Sequence, residues 1–303
     1  MRWTKRGRLF EPGGAAPWMA SHAALPVVEE RGGRHRVYCS GRDSAGRAHV
    51  GYFEMDLGDP AGTLRVCEQP VIAPGALGAF DDSGVTSSCL VKVGGRAYQY
   101  YTGWSLGVTV PFYLFAGLAV REGEDGPFRK ASVGPLLDRS DVDPYLTASP
   151  WVLVENGLWR MWYVSGSGWE REAGRVRHRY HIRYAESKDG RRWERRGVVC
   201  LDYASPAEYA FARPCVVKDG DRYRMWYAFR GERYRIGYAE SQDGLTWERR
   251  DAEAGIDVSE SGWDSEMVEY PCVFDHGGDR YMLYNGNDYG RTGVGLAVRA
   301  AGR

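Results

Sequence analysis

At 303 residues and 43% hydrophobic content, the chain is long enough for one large β domain or two smaller ones, with ample material for a core. Lys+Arg and Asp+Glu each number 40, so the formal net charge is zero, which excludes a broad electrostatic pull towards nucleic acid or an anionic membrane. Aromatic residues reach 13%, with 11 Trp, 20 Tyr and 40 Gly, a composition that leans towards strands joined by tight turns.

The N-terminal MRWTKRGRLFEPGG has no apolar stretch of the kind a signal peptide needs. Within it, Arg2 to Arg6 reads as a short strand, RWTKR. Residues 23–57 (AALPVVEERGGRHRVYCSGRD, then AHVGYFEMDL) followed by TLRVCEQPVI give four strands with turn signals between them. Residues 86–120 repeat the order, from TSSCLVKVGGRAYQYYTGW to FAGLAV, with PFRKASVGPLL as a fourth strand. The apolar run Val108 to Val120 inside this unit is broken by Pro111 and Gly117 and is too short to cross a bilayer.

The grammar is clearest in residues 149–195 and 213–249. Both run from a Pro-centred apolar strand through a polar turn to RMWY, then a loop, Y-A-E-S, a D-G turn and W-E-R. Residues 269–298 supply three such strands and stop. The missing fourth matches Arg2-Trp3-Thr4-Lys5-Arg6, which resembles the strands around Trp193 and Trp247. The expectation is an all-β fold, a five-bladed β-propeller of four-stranded antiparallel blades occupying 1–303 as one domain. Its N-terminal strand, within 1–10, completes the C-terminal blade and leaves no open edge. The segments Ser187 to Trp193 and Ser241 to Trp247, S-x-D-G-x-x-W, resemble the Asp-capped turns of sialidase-type propellers and read as structural hairpins.

In a propeller the innermost strands converge on the axis, so functional residues belong just before the Pro-centred strands. Those five entrances read Ser21-His22-Ala23, Phe80-Asp81-Asp82-Ser83-Gly84, Asp143 to Thr147, Glu208 to Arg213, and Trp263 to Tyr270. Carboxylates stand at four of them, a concentration that favours a site.

Trp18 to Ala23, Arg36 to Asp43, Phe80 to Val85, Thr147 to Pro150 and Asp257 to Pro271 carry a further signal. Together with the blade pattern they resemble the glycosidase propellers of glycoside hydrolase families 43, 32, 62, 68 and 130, and more closely an uncharacterised glycosidase-like bacterial group. The resemblance implies a glycosidic or sugar-derived bond cleaved or transferred by two axial carboxylates, one protonating the leaving oxygen and one activating water or attacking carbon. It places Asp82, with Asp81 beside it, at the acidic position of the second blade. Glu269 and Glu266 are the candidates for the acid, and Arg213 for binding an oxyanion or holding a carboxylate. One departure stands out: the first-blade entrance has no Asp, which leaves His22 as base or Asp43 reaching inward. Hydrolysis, transglycosylation and elimination all stay open.

Trp104, Trp169 and Trp263, with Trp18, lie off the repeated Trp positions and can stack on sugar faces or pack between blades; Tyr145 joins them as a substrate-binding candidate. The run Arg171 to Arg179 is an insertion whose charge suits either an anionic group on the substrate or an ordinary exposed hairpin. No H-E-x-x-H, P-loop, G-x-G-x-x-G or G-x-S-x-G is present, so neither a metal nor a cofactor is expected. Six Cys without a C-x-x-C read as free buried thiols of a cytoplasmic protein. The expected partner is a small sugar or glycoside, not nucleic acid or membrane. The standing alternatives to an enzyme of this class are a sugar-binding propeller that has lost its chemistry and a repurposed non-hydrolytic enzyme of small-molecule biosynthesis.

Overall fold

A computed structural model describes residues 2–14, 16–60, 65–172 and 174–300. Among these residues, twenty strands fall into five four-stranded antiparallel blades. The N-terminal strand β1 (Thr4–Phe10) comes first in the sequence but belongs to the last blade. The first blade is β2 (Ser21–Arg31), β3 (Arg34–Arg42), β4 (Ala48–Met55) and β5 (Arg65–Val66). The second is β6 (Gly84–Val93), β7 (Arg96–Leu106), β8 (Phe112–Glu122) and β9 (Arg129–Lys130). The third is β10 (Thr147–Glu155), β11 (Leu158–Glu172), β12 (Arg175–Ser187) and β13 (Val199–Leu201). The fourth is β14 (Ala210–Asp219), β15 (Arg222–Arg230), β16 (Tyr234–Ser241) and β17 (Glu248–Arg249). The fifth joins β18 (Glu269–His276), β19 (Asp279–Asn285) and β20 (Val294–Arg299) to β1.

The ring closes. Each innermost strand touches the next, β2 to β6, β6 to β10, β10 to β14 and β14 to β18, and β18 touches β2. At the outer edge of the fifth blade β1 pairs antiparallel with β20, from Thr4 opposite Val298 to Phe10 opposite Val294. Trp3, 5% exposed, fixes the start of that strand by donating its indole N–H to the Ala254 carbonyl at 3.0 Å. The closing strand therefore lies slightly later than the RWTKR segment suggests.

Two other fourth strands depart from the sequence pattern. In the third blade the ladder strand is Val199–Leu201, and the W-E-R segment makes only one bridge, Glu194 to Glu186. In the first blade the ladder strand is Arg65–Val66, with one further bridge from Ile72 to Val50, while Thr63 and Leu64 lie outside the described residues, as does Ala173 in the insertion. No described helix is long and apolar enough to cross a membrane.

The D-G turns fasten neighbouring blades. Asp243 Oδ1 accepts from the amides of Leu245 and Thr246, both at 2.8 Å, and Gly244 sits at φ 78°. The freed Gly244 carbonyl then accepts from Trp247 of its own blade at 3.0 Å and from Trp162 of the previous blade at 2.8 Å. Asp189 and Gly190 repeat the device, with Tyr100 of the second blade donating to the Gly190 carbonyl at 2.8 Å. These aromatics belong to the main core between the blades.

At the axis, every inner strand carries a bulge at one height, after Ala24, Ser87, Ala148, Ala212 and Glu269. A bulge re-aims a side chain. In four blades the re-aimed residue precedes a proline and has a positive φ: Leu25 (54°), Ser149 (46°), Arg213 (52°) and Tyr270 (55°). The left-handed region costs such residues about 1–2 kcal/mol each, and side chains of the preceding blade offset it. Asn285 Oδ1 accepts the Leu25 amide at 2.9 Å, and Thr102 Oγ1 accepts the Ser149 amide at 2.8 Å.

Candidate functional site

The bulge ring opens into an axial cavity of about 300 Å³, at the small end of the roughly 300–1,000 Å³ that ligand sites span. Its wall draws on every blade: His22, Leu25 and Arg42 from the first, Thr86, Thr102, Trp104 and Phe112 from the second, Ser149 and Tyr180 from the third, Ala212 from the fourth, Tyr270 and Tyr289 from the fifth. Aromatic faces and a few hydroxyls predominate, a lining that suits the alternating C–H and O–H surface of a sugar.

The floor is Arg213. Its side chain is fully buried and reaches across the axis to donate to the Pro26 carbonyl at 2.5 Å and the Ser87 carbonyl at 3.2 Å. The guanidinium also lies 5.4 Å from the Trp151 ring centre, and burial lowers its pKa from the ordinary value. Arg213 is therefore an axial plug tying three other blades to the fourth, not the substrate-binding arginine that its place before Pro214 suggests.

The entrance carboxylates have a shared structural role. Asp81, Asp143 and Asp264 are 1%, 0% and 2% exposed. Each is gripped by a tyrosine on the second strand of its blade and by a cation near the blade's outer edge. Tyr101 (3.0 Å) and Lys130 (2.6 Å) hold Asp81; Tyr163 (3.0 Å) and Arg195 (2.8 Å) hold Asp143; Tyr284 (3.0 Å) and Lys5 (2.7 Å) hold Asp264. The fourth blade builds the same cluster from Tyr227, Asp251 and Arg249, and Arg249 also pairs with Glu208 at 2.8 Å. Carboxylates satisfied in this way fasten the inner strand to the blade's edge. They do not face the cavity.

Other sequence candidates also fall elsewhere. Asp82 caps its own turn, accepting from the Gly78 amide at 3.0 Å and the Ser83 hydroxyl at 2.9 Å. Glu266 is exposed and pairs with Arg233 at 3.4 Å. Asp43 closes the β3–β4 turn through the amides of Ala45 and Arg47 and meets His49 at 3.0 Å, so it does not reach inward. Trp263 packs over Gly286 and Gly295, where a Cβ would meet its ring at 2.5 and 2.3 Å. Tyr145 is 40% exposed beside Gly166 and outside the cavity wall. Trp169 lies outside the cavity wall and meets Phe112 at 5.3 Å and His178 at 6.0 Å between ring centres. Trp104 does line the cavity, held over Gly84.

Two titratable candidates remain, His22 on the cavity wall and Glu269, buried next to the wall residue Tyr270. Glu269 occupies the position where the other blades have Ala24, Ala148 and Ala212 at the bulge and Thr86 one residue before it. Its carboxyl is fully buried, and the Tyr270 side chain and Tyr289 backbone approach it without a well-aligned hydrogen bond. Burial holds its pKa well above the usual carboxylate range, against the opposing pull of Tyr270, Arg230 and the Tyr289 backbone. His22, at φ 63°, lines the cavity with its Nδ1 2.9 Å from Ser21 Oγ. Burial and then the charges of Arg42 and Arg291 bring His22 down to about 4, with Asp288 opposing. Asp288 acts on Glu269 as well, so both groups flank the β19–β20 loop. The seam there is tight: Asn285 Nδ2 donates to the carbonyls of Ala23 and Gly293, both at 2.8 Å, and the Ala23 amide donates to Gly290 at 2.9 Å.

Two Mycobacterium tuberculosis proteins, Uncharacterized protein MT1551 (strain CDC 1551 / Oshkosh) and Uncharacterized protein Rv1502 (strain ATCC 25618 / H37Rv), are each 46% identical to this protein over 299 residues. The alignments cover 98% of its sequence and 99% of each relative. The protein belongs to the Rv1502 family. No protein-family profile matches it.

Among solved structures, a glycoside hydrolase superposes at a TM-score of 0.76 with 19% identity, covering 99% of this protein and 93% of that one. A thermostable family-43 glycoside hydrolase gives 0.65 with 16% identity, covering 92% and 88%. The Bombyx mori GH32 β-fructofuranosidase BmSUC1 gives 0.63 with 15% identity, covering 92% and 61%. The Rv1502 family thus has the fold of the glycoside hydrolase propellers. Of the acids expected on that resemblance, Asp82 and Glu266 lie off the axial cavity and Glu269 is buried next to Tyr270, while His22 lines the wall.

Proposed function

We propose that the protein is a glycosidase-like enzyme that binds a small sugar or glycoside in the axial cavity and transfers a proton through Glu269 and His22. The observation that carries this reading is the Glu269 carboxyl, fully buried next to the wall residue Tyr270 and without a well-aligned hydrogen bond to either oxygen. An unsatisfied buried polar group costs about 1–3 kcal/mol, and four of the five equivalent positions avoid that cost with Ala or Thr. A stability role does not account for it. A protonated carboxyl next to Tyr270, which forms part of the wall, is the state required of a general acid.

His22 is the base in this scheme. Held neutral by burial and two nearby arginines, it can accept a proton at neutral pH. Arg42 supplies the fixed positive charge for an anionic group or a developing oxyanion on the ligand. Such a pair suits hydrolysis or transfer at a glycosidic or sugar-derived bond without the two carboxylates of the usual scheme. The whole protein acts as one propeller unit in this account. Its six free thiols, five of them buried, support a reducing, cytoplasmic setting.

The non-catalytic alternative has one specific observation in its favour: the entrance carboxylates are committed to tyrosine–cation clusters. Incubation with a panel of aryl glycosides, disaccharides and sugar phosphates, followed by product analysis, separates the two readings. Turnover that falls by about 10²-fold or more in both Glu269→Gln and His22→Gln supports the enzyme. Saturable sugar binding without product in the wild type supports a binding propeller.

A further inference from the structure

We infer that Glu30, His35 and His276 form a binding site for one divalent transition-metal ion of the zinc type. The three residues come from the C-terminal end of β2, the start of β3 and the end of β18, so the site lies across the seam between the first and fifth blades, at the opposite end of the strands from the axial cavity. Their potential ligand atoms all lie within 4.8 Å of one another.

A second, independent observation points to a ligand. His35 is 1% exposed, and its buried Nδ1 has no hydrogen-bond partner among the described residues. A buried imidazole normally satisfies both ring nitrogens. The His35 ring also meets the His276 ring edge-on, 4.7 Å between centres at 85°. Two imidazoles and one carboxylate are the donor set of an open tetrahedral zinc site, with water in the fourth place. Imidazole nitrogen in two of three positions selects a borderline transition ion over magnesium or calcium. Ligands at about 2.0–2.2 Å from a tetrahedral ion stand about 3.3 Å apart. Glu30 is exposed and His276 half-buried, so the two side chains that must close the remaining gap lie at the surface and not in the core.

The position explains what the ion would do. Near the cavity, the seam is held by Asn285 and Gly290. At the far end the ion would join β18 directly to the first blade, clasping the junction at which the first and last blades meet.

Equilibrium dialysis of the full-length protein against Zn²⁺, after treatment with a chelator, tests this with metal content read by mass spectrometry. The expected result is one zinc per molecule, a thermal midpoint that rises with added Zn²⁺, and at least a tenfold loss of affinity in His276→Ala. The same dialysis with Glu30→Gln, an exposed position, guards against an effect of misfolding and is also expected to weaken binding. A wild-type protein that takes up no stoichiometric zinc, or zinc affinity unchanged by His276→Ala, overturns the assignment.

Discussion

The Tyr163 hydroxyl donates to both carboxylate oxygens of Asp143, at 3.0 and 3.2 Å, while Arg195 closes on the same group at 2.8 Å. Equivalent tyrosine–acid–cation clusters recur in the second, fourth and fifth blades. The carboxylates that look catalytic by their place in the sequence are therefore part of the blade framework. Removing one charge from a buried pair strands the other and costs about 3–5 kcal/mol. Asp143→Ala is expected to lower the urea midpoint by that scale, while the ligand affinity of the folded fraction stays within about twofold. Denaturant unfolding and titration of the same preparation check both halves.

Glu269→Gln has the opposite signature. Burial favours the neutral carboxyl in the folded protein, so the amide keeps its shape, and stability near pH 4 is expected to change by less than about 1 kcal/mol. Turnover is expected to fall by about 10²-fold or more. The pH dependence carries a second mark. Because the folded-state pKa is raised above the unfolded value of about 4.3, the group stabilises the native state below that pH. That contribution is lost as pH rises towards the folded value. Wild type should lose stability relative to Glu269→Gln on going from pH 4 upward, and parallel melting curves across that range measure it.

His22 is shifted the other way, down to about 4. Its folded-state pKa lies below the unfolded value of about 6.5, so its contribution is present above that value and fades as pH falls towards 4. A base with this pKa stays competent through mild acid. The acid limb of kcat/KM is expected near pH 4 instead of pH 6.5, and it should be absent in His22→Gln.

Ring closure depends on β1. Trp3→Ala removes a buried indole and its bond to the Ala254 carbonyl, and core truncations of this size cost about 3–5 kcal/mol. The expected outcome is a lower unfolding midpoint with earlier loss of protection in β20 than in β14, read by hydrogen exchange.

How much of this could be read from the sequence differs between fold and site. The RMWY, Y-A-E-S and D-G elements are local, and each records a strand or turn whose geometry is decided by its own residues, as at Asp243 and Gly244. The strand completing the last blade was legible because Trp3 repeats the blade pattern, although its pairing begins only at Thr4. The site was less legible. Position before a proline correctly marks Arg213 and Tyr270 as axial, but the bulge sends one across the floor and the other into the wall. Asp81 and Glu269 look alike in sequence, and what separates them is a cation on a distant strand, Lys130 for the first and no ion-pair partner among the described residues for the second. Arg42, Phe112, Tyr180 and Tyr289 were missed because they reach the axis from outer strands and a loop, with no repeated signal to mark them. The contact of His35 with His276 joins residues far apart in the sequence and could be found only in three dimensions.

The central claim is that the ligand sits at the axis, served by Glu269 and His22 and not by the entrance acids. Crystals soaked with a panel of mono- and disaccharides and sugar phosphates test it most directly. The expected result is a sugar in the axial cavity, stacked against Trp104 or Tyr270, with a glycosidic or exocyclic oxygen within hydrogen-bond reach of the Glu269–Tyr270 pair or of His22. A sugar seated elsewhere, with its anomeric carbon flanked by Asp82 and Glu266, would contradict it.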